Sequence, residues 1–250
     1  MQIIPLSEGA YTIDKTKAFI PFNINEDALN SRPTGSLLVE IQPFVLITTK
    51  DVILLDTGLG HKNADGNLQL HDNLLKAGIN PAQVTKVLMS HLHRDHAGGI
   101  TMEDTPSQQR FISFPYATYY VQRREFEFGL EGGSSSYTPD NFALLNEFSR
   151  VEWLTADEGQ IDGYIRYQLT GAHSKFHQVF WIEENGEKIF FGGDVAPQLY
   201  QMKSRFVAKY DYDGKKCMEL RQQWWQESTN ENWRFLFYHD IKSPVYPTNL

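Results

Sequence analysis

The sequence is poor in cysteine, in blocks of positive charge and in long apolar runs, and each shortage excludes a class of protein. The single cysteine, Cys217, excludes an intrachain disulfide framework and favours a reducing compartment. With 23 Lys and Arg against 31 Asp and Glu, the net charge is −8, which argues against nucleic acid as the main partner. No window approaches the roughly 20 apolar residues that a membrane-spanning helix needs. The N-terminal segment MQIIPLSEGAYTID has no basic region, so we expect no secretory signal and a cytoplasmic location.

Hydrophobic residues make up 41% of the 250 residues, which is enough for a packed core. Apolar and β-branched runs predict strands within 36–49 (two strands), 51–58, 84–90, 117–122, 163–171, 177–184, 187–194 and 233–240. Helical spacing predicts helices in 68–78, from 123 onward and in 216–228. The segment EENGE (183–187) indicates a hairpin turn, and 130–141 has the composition of a surface loop. Strands that outnumber helices favour a layered α/β or α+β fold, and we expect one domain over 1–250.

The densest group of chemically active side chains lies in MSHLHRDHAGG, residues 89–99. It places His91, His93, Asp95 and His96 directly after a predicted buried strand. Imidazole nitrogens and carboxylate oxygens are common ligands of Zn²⁺. Two histidines that are two residues apart cannot share a helix face, but they can converge from a loop at the end of a strand. The alternative is a polar loop that is rich in histidine by chance, and the combination of motif and context argues against it.

Four further imidazole or carboxylate groups follow predicted strands. They are Asp56, His173, Asp194 and His239. Taken alone, each is explained as a turn or capping residue. Together with residues 91–96 they form a set that is typical of a metal site.

These motifs resemble a known family. The segments LLDTG, SHLHRDHAGG, TGAHSKFH, FFGGD and FYHD occur in the order and approximate spacing of the metallo-β-lactamase superfamily, from about residue 35 to 241. The resemblance implies an αββα sandwich, in which helices cover the outer faces of two packed β-sheets. It also implies two metal ions, one held by His91, His93 and His173, the other by Asp95, His96 and His239, with Asp194 bridging both. Asp56 would orient the ligands without contacting metal.

The third motif departs from the family pattern Thr-Pro-Gly-His-x-x-Gly-His. Here it reads TGAHSKFH, residues 170–177, which leaves His173 or His177 as the ligand. The alignment of Thr170 and of His177-Gln178 favours His173. His177 would then begin the next strand and act as a supporting or core histidine.

The expected chemistry is that of a dinuclear hydrolase. Two divalent ions bridged by a carboxylate lie roughly 3.5 to 4 Å apart and hold a hydroxide that attacks the substrate at neutral pH. Zinc is favoured by nitrogen and carboxylate ligands without thiolate, and Mn, Fe or Co would also fit. The resemblance suggests that Asp95 moves a proton to the leaving group. Asp56 would fix the tautomer of a ligand imidazole.

The segment after Asp194 resembles the branch that includes N-acyl-homoserine lactonase-like enzymes. A lactone or a related small ester is therefore the expected substrate. Members of that branch often carry a tyrosine three residues after the bridging aspartate, where this chain has Pro197 and only Tyr200 nearby. The alternatives are a hydrolase of phosphotriesters, thioesters or β-lactams, an iron-dependent oxygen-consuming enzyme, and a non-catalytic metal-binding protein of the same fold. The expected partner is a small molecule rather than nucleic acid or a membrane, and the sequence does not indicate an oligomeric state.

Several other residues have simpler interpretations. We expect Asp211 and Asp213 to cap the helix that begins after Gly214, and Cys217 to pack as a small hydrophobe. One of the adjacent tryptophans in QQWWQ (222–226) should lie in the core. Phe19, Phe22 and the loop 130–141 are candidates for the mouth of the pocket.

Overall fold

The computed structural model describes residues 1–104, 107 and 109–247, so 105, 106, 108 and 248–250 of the predicted domain lie outside it. The strands are β1 (Gln2–Pro5), β2 (Gly9–Ile13), β3 (Phe19–Pro21), β4 (Leu37–Ile41), β5 (Phe44–Ile47), β6 (Val52–Leu55), β7 (Lys86–Leu88), β8 (Thr101–Glu103), β9 (Arg110–Ile112), β10 (Thr118–Gln122), β11 (Val151–Leu154), β12 (Glu158–Ile161), β13 (Ile165–Leu169), β14 (Gln178–Glu184), β15 (Glu187–Phe191), β16 (Trp233–Leu236) and β17 (Val245–Tyr246). The α-helices are α1 (Gln69–Lys76), α2 (Arg94–Ala97), α3 (Arg123–Leu130), α4 (Leu199–Met202) and α5 (Gly214–Glu231). Short 3₁₀ helices lie at Leu29–Ser31, Pro81–Gln83, Pro139–Asn141, Ala143–Asn146 and Gly193–Val195.

Two six-stranded sheets form the frame. The first has the strand order β1-β5-β6-β7-β10-β11 and the second β12-β13-β14-β15-β16-β17. Within the first sheet β6, β7, β10 and β11 run parallel to one another, and in the second only β15 and β16 form a parallel pair. A three-stranded sheet, β3-β2-β4, and the pair β8-β9 complete the strands of the described residues.

In both sheets successive side chains point to opposite faces, and both faces of each sheet are buried. Phe44 and Leu55 of the first sheet meet Phe180 and Phe191 of the second in a core between the sheets. Their sequence neighbours point outward, because successive strand residues face opposite sides. Val45, Leu54 and Val87 pack with Leu74 of α1 and Phe126 of α3 on one outer face. Trp181, Phe190 and Phe235 pack with Cys217 and Trp224 of α5 on the other. The layers are therefore helix, sheet, sheet, helix, and the predicted αββα sandwich is confirmed.

Local sequence signals predicted the positions of several elements correctly. Helix α1 lies within the predicted 68–78, and Gly78 follows its end with a φ of +80°. The turn between β14 and β15 places Asn185 and Gly186 at φ values of +52° and +80°, the left-handed conformation that Asn-Gly hairpin turns require. Trp224 is 2% exposed in the core, as expected for one of the paired tryptophans.

Two predictions about loops and strand ends were wrong in part. The strand predicted over 233–240 ends at Leu236, because the backbone then turns and the amide of Phe237 donates to Pro244 O at 2.8 Å. The strand β17 follows, so β16 is not the last strand. The loop 130–141 is more than a surface excursion, since Ser136 O accepts from the amide of Arg94 at 2.9 Å and thereby joins the loop to the histidine motif. Among the described residues, no helix has the length and apolarity needed to cross a membrane.

Glu8 is a buried carboxylate that holds the loop after β6. One of its oxygens accepts a hydrogen bond from the amide of Leu59 at 2.6 Å, while the other, Oε1, has no partner within the described residues. Burial raises the pKa of Glu8 from 4.5 to about 7, against the opposing effect of the Leu59 hydrogen bond. The folded state therefore holds a proton that the unfolded state releases between these pH values, and stability falls as the pH rises through this window.

The variant Glu8→Gln should remove this pH dependence. Glutamine keeps an oxygen for the amide of Leu59 but does not ionise. We expect Glu8→Gln to match the wild type near pH 4.5 and to exceed it in free energy of unfolding by about 3 kcal/mol at pH 8, the value that follows from the raised pKa. Urea denaturation at several pH values measures the difference. The exposed Glu147→Gln serves as control, and a difference for Glu8→Gln that stays constant with pH would contradict the assignment.

Candidate metal centre

The histidine motif begins where strand β7 ends, at the edge where the two sheets meet. His93 is extended, with φ and ψ of −63° and 152°, and immediately precedes the short helix α2. The extended backbone lets His91 and His93 point to the same side, since residues two apart in a strand share a face. The first turn of α2 then brings Asp95 and His96 back toward the same space. The motif therefore delivers four donors from six consecutive residues, 91–96.

The structure brings six of the seven predicted ligands together in two groups of three. The donor atoms of His91, His93 and His173 lie within 4.8 Å of one another, and so do those of Asp95, His96 and His239. In the first group, His93 Nδ1 lies 3.0 Å from His91 Nε2 and 3.1 Å from His173 Nε2.

Asp194 lies between the two groups. Its Oδ1 is 3.0 Å from both His96 Nε2 and His239 Nε2, and its Oδ2 is 3.2 Å from His173 Nε2. One carboxylate oxygen thus faces each group, as expected of a bridging ligand. The left-handed Gly193 is required here, because a Cβ at this position would come within 2.8 Å of His177 Nε2 and Ser90.

The donor set fits divalent cations. His96 Nε2 and Asp194 Oδ1 are buried and have no conventional hydrogen-bond partner among the described residues. Buried polar atoms of this kind are costly unless something satisfies them. A nitrogen and carboxylate set without thiolate suits zinc and its neighbours in the first transition row. Cys217 lies on the buried face of α5 and belongs to neither donor group.

Without a bound cation, the histidines of the cluster differ strongly in pKa. Burial and the neighbouring imidazoles lower the pKa of His91 and His93 well below the usual histidine value. Burial also acts to lower the pKa of His96, but the carboxylates of Asp194 and Asp95 outweigh it and raise this pKa well above that value. The cluster therefore pulls positive charge toward Asp194, and bound cations would supply the same charge.

In four of the histidine rings, Nδ1 contacts a polar group of the protein that lies outside the donor groups. Nδ1 of His96 donates to Asp56 Oδ2 at 2.7 Å, and Nδ1 of His239 donates to Glu40 O at the same distance. Nδ1 of His91 lies 3.0 Å from Ser90 Oγ, whose hydroxyl donates to Asp56 at 2.6 Å. Asp56 is fully buried and also accepts from the amide of Ser90, so its carboxylate is committed to orientation. Such partners fix the tautomer and angle of a metal-binding imidazole.

The fourth ring is held by Asp211, whose predicted role as a helix cap is wrong. Its Oδ1 lies 2.7 Å from His173 Nδ1. The amides of Tyr212 and Asp213 donate to His173 O and Ala172 O at 3.0 and 2.8 Å, which places residue 211 beside the ring. The prediction for Asp213 is confirmed, since this side chain caps α5 by accepting from the amide of Lys216 at 3.0 Å.

His177 stands behind the donors rather than among them. Its Nε2 accepts from the amide of Asp194 at 3.2 Å and its Nδ1 lies 3.3 Å from Thr170 Oγ1. Both ring nitrogens are therefore engaged, and the ring supports the backbone of Asp194. Of the two candidates in the third motif, the geometry places His173 in the donor group.

Glu125 is a supporting residue that the sequence interpretation missed. Its carboxylate is 1% exposed and accepts from the amide of Leu92 at 3.2 Å, Tyr137 Oη at 2.8 Å and Ser174 Oγ at 3.1 Å. It thus joins the histidine motif, the loop 130–141 and the His173 loop. Its one available signal is helical spacing, since Glu125 lies one turn before the buried Gly129 on the inner face of α3.

A cavity of about 570 Å³ opens over the donors. Its walls include the apolar side chains Ile13, Phe19, Leu37, Leu38, Val39 and Phe206. Phe19 lines the cavity, as expected, and so does Ser136 of the loop 130–141. Phe22 is buried elsewhere and does not line it. Tyr200 and Tyr210 also line it, at 71% and 48% exposure. The donors therefore form the floor of a cavity large enough for a small organic molecule.

Known proteins share the sequence and the fold. N-acyl homoserine lactonase AttM of Azorhizobium caulinodans is 35% identical over 118 residues, which are 42% of this chain and 38% of that protein. The protein of the same name from Agrobacterium fabrum is 32% identical over 142 residues, 51% of this chain and 47% of its own length. The aligned parts thus cover less than half of either relative.

Solved structures extend the likeness to nearly the whole chain, although their low identity shows the fold alone. A probable metal-dependent hydrolase from Staphylococcus aureus has a TM-score of 0.78 at 21% identity, covering 98% of this chain and 91% of its own. AidC, described as a dizinc quorum-quenching lactonase in complex with a product, has a TM-score of 0.71 at 19% identity, covering 97% and 88%. The sequence pattern of the metallo-beta-lactamase superfamily matches residues 39–221. The chain is a member of the metallo-β-lactamase superfamily.

Proposed function

We propose that this chain is a dinuclear metal-dependent hydrolase that opens a lactone or cleaves a related small ester. The observation that carries the proposal is the convergence of seven nitrogen and oxygen donors, with Asp194 between two groups, on the floor of a largely apolar cavity. The named lactonases among its relatives support the substrate class.

In this proposal each donor group holds one cation. His91, His93 and His173 would hold the first, Asp95, His96 and His239 would hold the second, and Asp194 would lie between them. A pair of such cations supplies a solvent nucleophile at neutral pH and polarises the ester carbonyl. Zinc as the metal and the cytoplasm as the location remain predictions from the sequence.

The side chains around the donors perform the remaining tasks. Asp95 lines the cavity, and we assign its carboxylate to accept the proton that the attacking solvent molecule loses and to pass it to the departing alkoxide oxygen. Asp56 keeps His96 and His91 oriented. The apolar wall from β2 to β4 receives the acyl part of the substrate and excludes water from it.

Tyr210 is the better placed of the two cavity tyrosines to contact the substrate. Its ring centroid lies 6.2 Å from that of His173, and burial raises its pKa, so the phenol stays protonated. Tyr200, the residue considered as a replacement for a tyrosine at position 197, is more exposed. We therefore assign the substrate-facing phenol to Tyr210.

The substrate class can be tested with one panel. The protein, purified with zinc, should open N-acyl-homoserine lactones of several chain lengths or cleave aryl esters, and its kcat/KM should be higher for these than for phosphotriesters, thioesters or β-lactams. Chelation should abolish turnover, and added zinc should restore it, because the donors alone supply no nucleophile. The measurement is initial rate with each substrate, beside metal content per chain.

Turnover of the phosphotriester or β-lactam alone would make the ester assignment wrong. A chain that binds no metal under zinc-replete conditions would instead support the non-catalytic alternative. The variant Asp194→Ala, which removes the bridging carboxylate, serves as the inactive reference.

Asp211 and Asp213 offer a matched pair for testing the support of His173. We expect Asp211→Ala to weaken zinc affinity by roughly 10- to 100-fold, the usual effect of removing a partner behind a metal-bound imidazole. Asp213→Ala removes only the cap of α5 and should lower the free energy of unfolding by about 1 kcal/mol without changing zinc affinity. Competition with a chromophoric chelator gives the affinity, and denaturant unfolding gives the stability. Equal zinc affinities for the two variants would refute the role of Asp211.

A further inference from the structure

Three cationic side chains line the cavity without an acidic partner. They are Lys17, Arg32 and Arg94. The carboxylates that line the same cavity, Asp95 and Asp194, are assigned to the cations of the proposed metal centre. Within the described residues, none of the three side chains forms an ion pair with a carboxylate.

Arg94 is the central member of this group. It lies between His93 and Asp95 at the start of α2, and its backbone is fixed by the 2.9 Å bond from its amide to Ser136 O. Its half-buried guanidinium makes no hydrogen bond with any described residue and lies over the ring of Phe19, 4.9 Å from the centroid. The planar donor fork of Arg94 therefore lies over Phe19 on the cavity wall, with its N–H groups available to a ligand.

Lys17 belongs to the same wall through Ser136. Its Nζ donates to Ser135 Oγ at 2.8 Å and to Ser136 Oγ at 3.3 Å, so it contacts only neutral hydroxyls. Arg32 uses Nε for Leu29 O at 3.3 Å, which leaves its terminal nitrogens unpaired within the described residues. The cavity rim is therefore positive, although the protein as a whole carries a net charge of −8.

A neutral acyl chain would leave these charges uncompensated against an apolar wall. Arg94 and Arg32 are half-buried, whereas Lys17 is exposed. Charge interactions at half-buried groups are stronger than in water, so an anionic group of the ligand would gain most at Arg94 and Arg32. We propose that the substrate carries a carboxylate remote from the scissile ester, and that the guanidinium of Arg94 binds it with Lys17 beside it. The inference rests on the proposed ester hydrolysis and narrows its substrate class to anionic esters or lactones.

Paired substrates test the charge directly. Mono-p-nitrophenyl esters of adipic, pimelic and suberic acid carry a free carboxylate, and in their methyl-capped counterparts a neutral methyl ester replaces it. For the best-fitting length, kcat/KM of the zinc-loaded enzyme should be about tenfold or more higher for the free acid, as expected for a charge-assisted hydrogen bond. The preference should shrink with added salt.

Matched arginine variants assign the preference to its residue. Arg94→Gln should reduce the ratio of the two kcat/KM values to near one, while Arg150→Gln, an exposed arginine that does not line the cavity, should preserve it. If free and capped esters are cleaved equally well, the anionic-substrate inference fails and the ester hydrolase stands.

A binding experiment keeps the inference testable if neither ester is cleaved, a result that counts against the hydrolase proposal. Calorimetry on the zinc-loaded protein then compares adipate with hexanoate, which shares its chain length and one carboxylate. We expect about tenfold tighter binding of adipate, lost in Arg94→Gln and kept in Arg150→Gln. Equal affinities for the two acids would overturn the inference.

Discussion

The structure depends on one electrostatic constraint, which is the close approach of five imidazoles and two carboxylates in one largely buried cluster. Asp194 lies within 3.2 Å of nitrogens from three different rings. Nitrogen lone pairs that face one another at 3.0 Å repel unless protons or cations lie between them. The surrounding fold must therefore hold these groups against their own repulsion, and it does so with a second layer of fixed partners.

That second layer explains why the site needs both sheets. Asp56 follows a strand of the first sheet, and Asp194 and His239 follow neighbouring parallel strands of the second. Because the cores between and outside the sheets fix the strands, the strand ends have little freedom. Glu125 and Asp211 then reach the site from helix α3 and from the segment before α5. Each thus couples a loop of the site to a helix packed on an outer face.

Much of this could be predicted from the sequence, because strand endings are local events. Runs such as VILLD and FFGGD show where a buried strand ends and a polar residue follows. The order of the motifs along the chain identifies the fold. The predictions failed where a residue's partner is distant along the chain. Asp211 and Asp213 have the same local capping signal, and only the pairing of residues 212 and 213 with 172 and 173 separates their roles. Glu125 was missed for the same reason, because its three hydrogen-bond partners lie in three other segments of the chain.

His239 completes the second donor group after every other donor has been synthesised. Asp95 and His96 lie far earlier in the chain, and His239 follows β16, which joins the sheet beside β15 by parallel pairing. During synthesis on the ribosome, the nascent chain therefore displays an incomplete set of donors until this strand emerges. In the proposed dinuclear centre, the second cation would therefore be captured later than the first, and the cell's pool of free metal at that moment would decide which element is taken up.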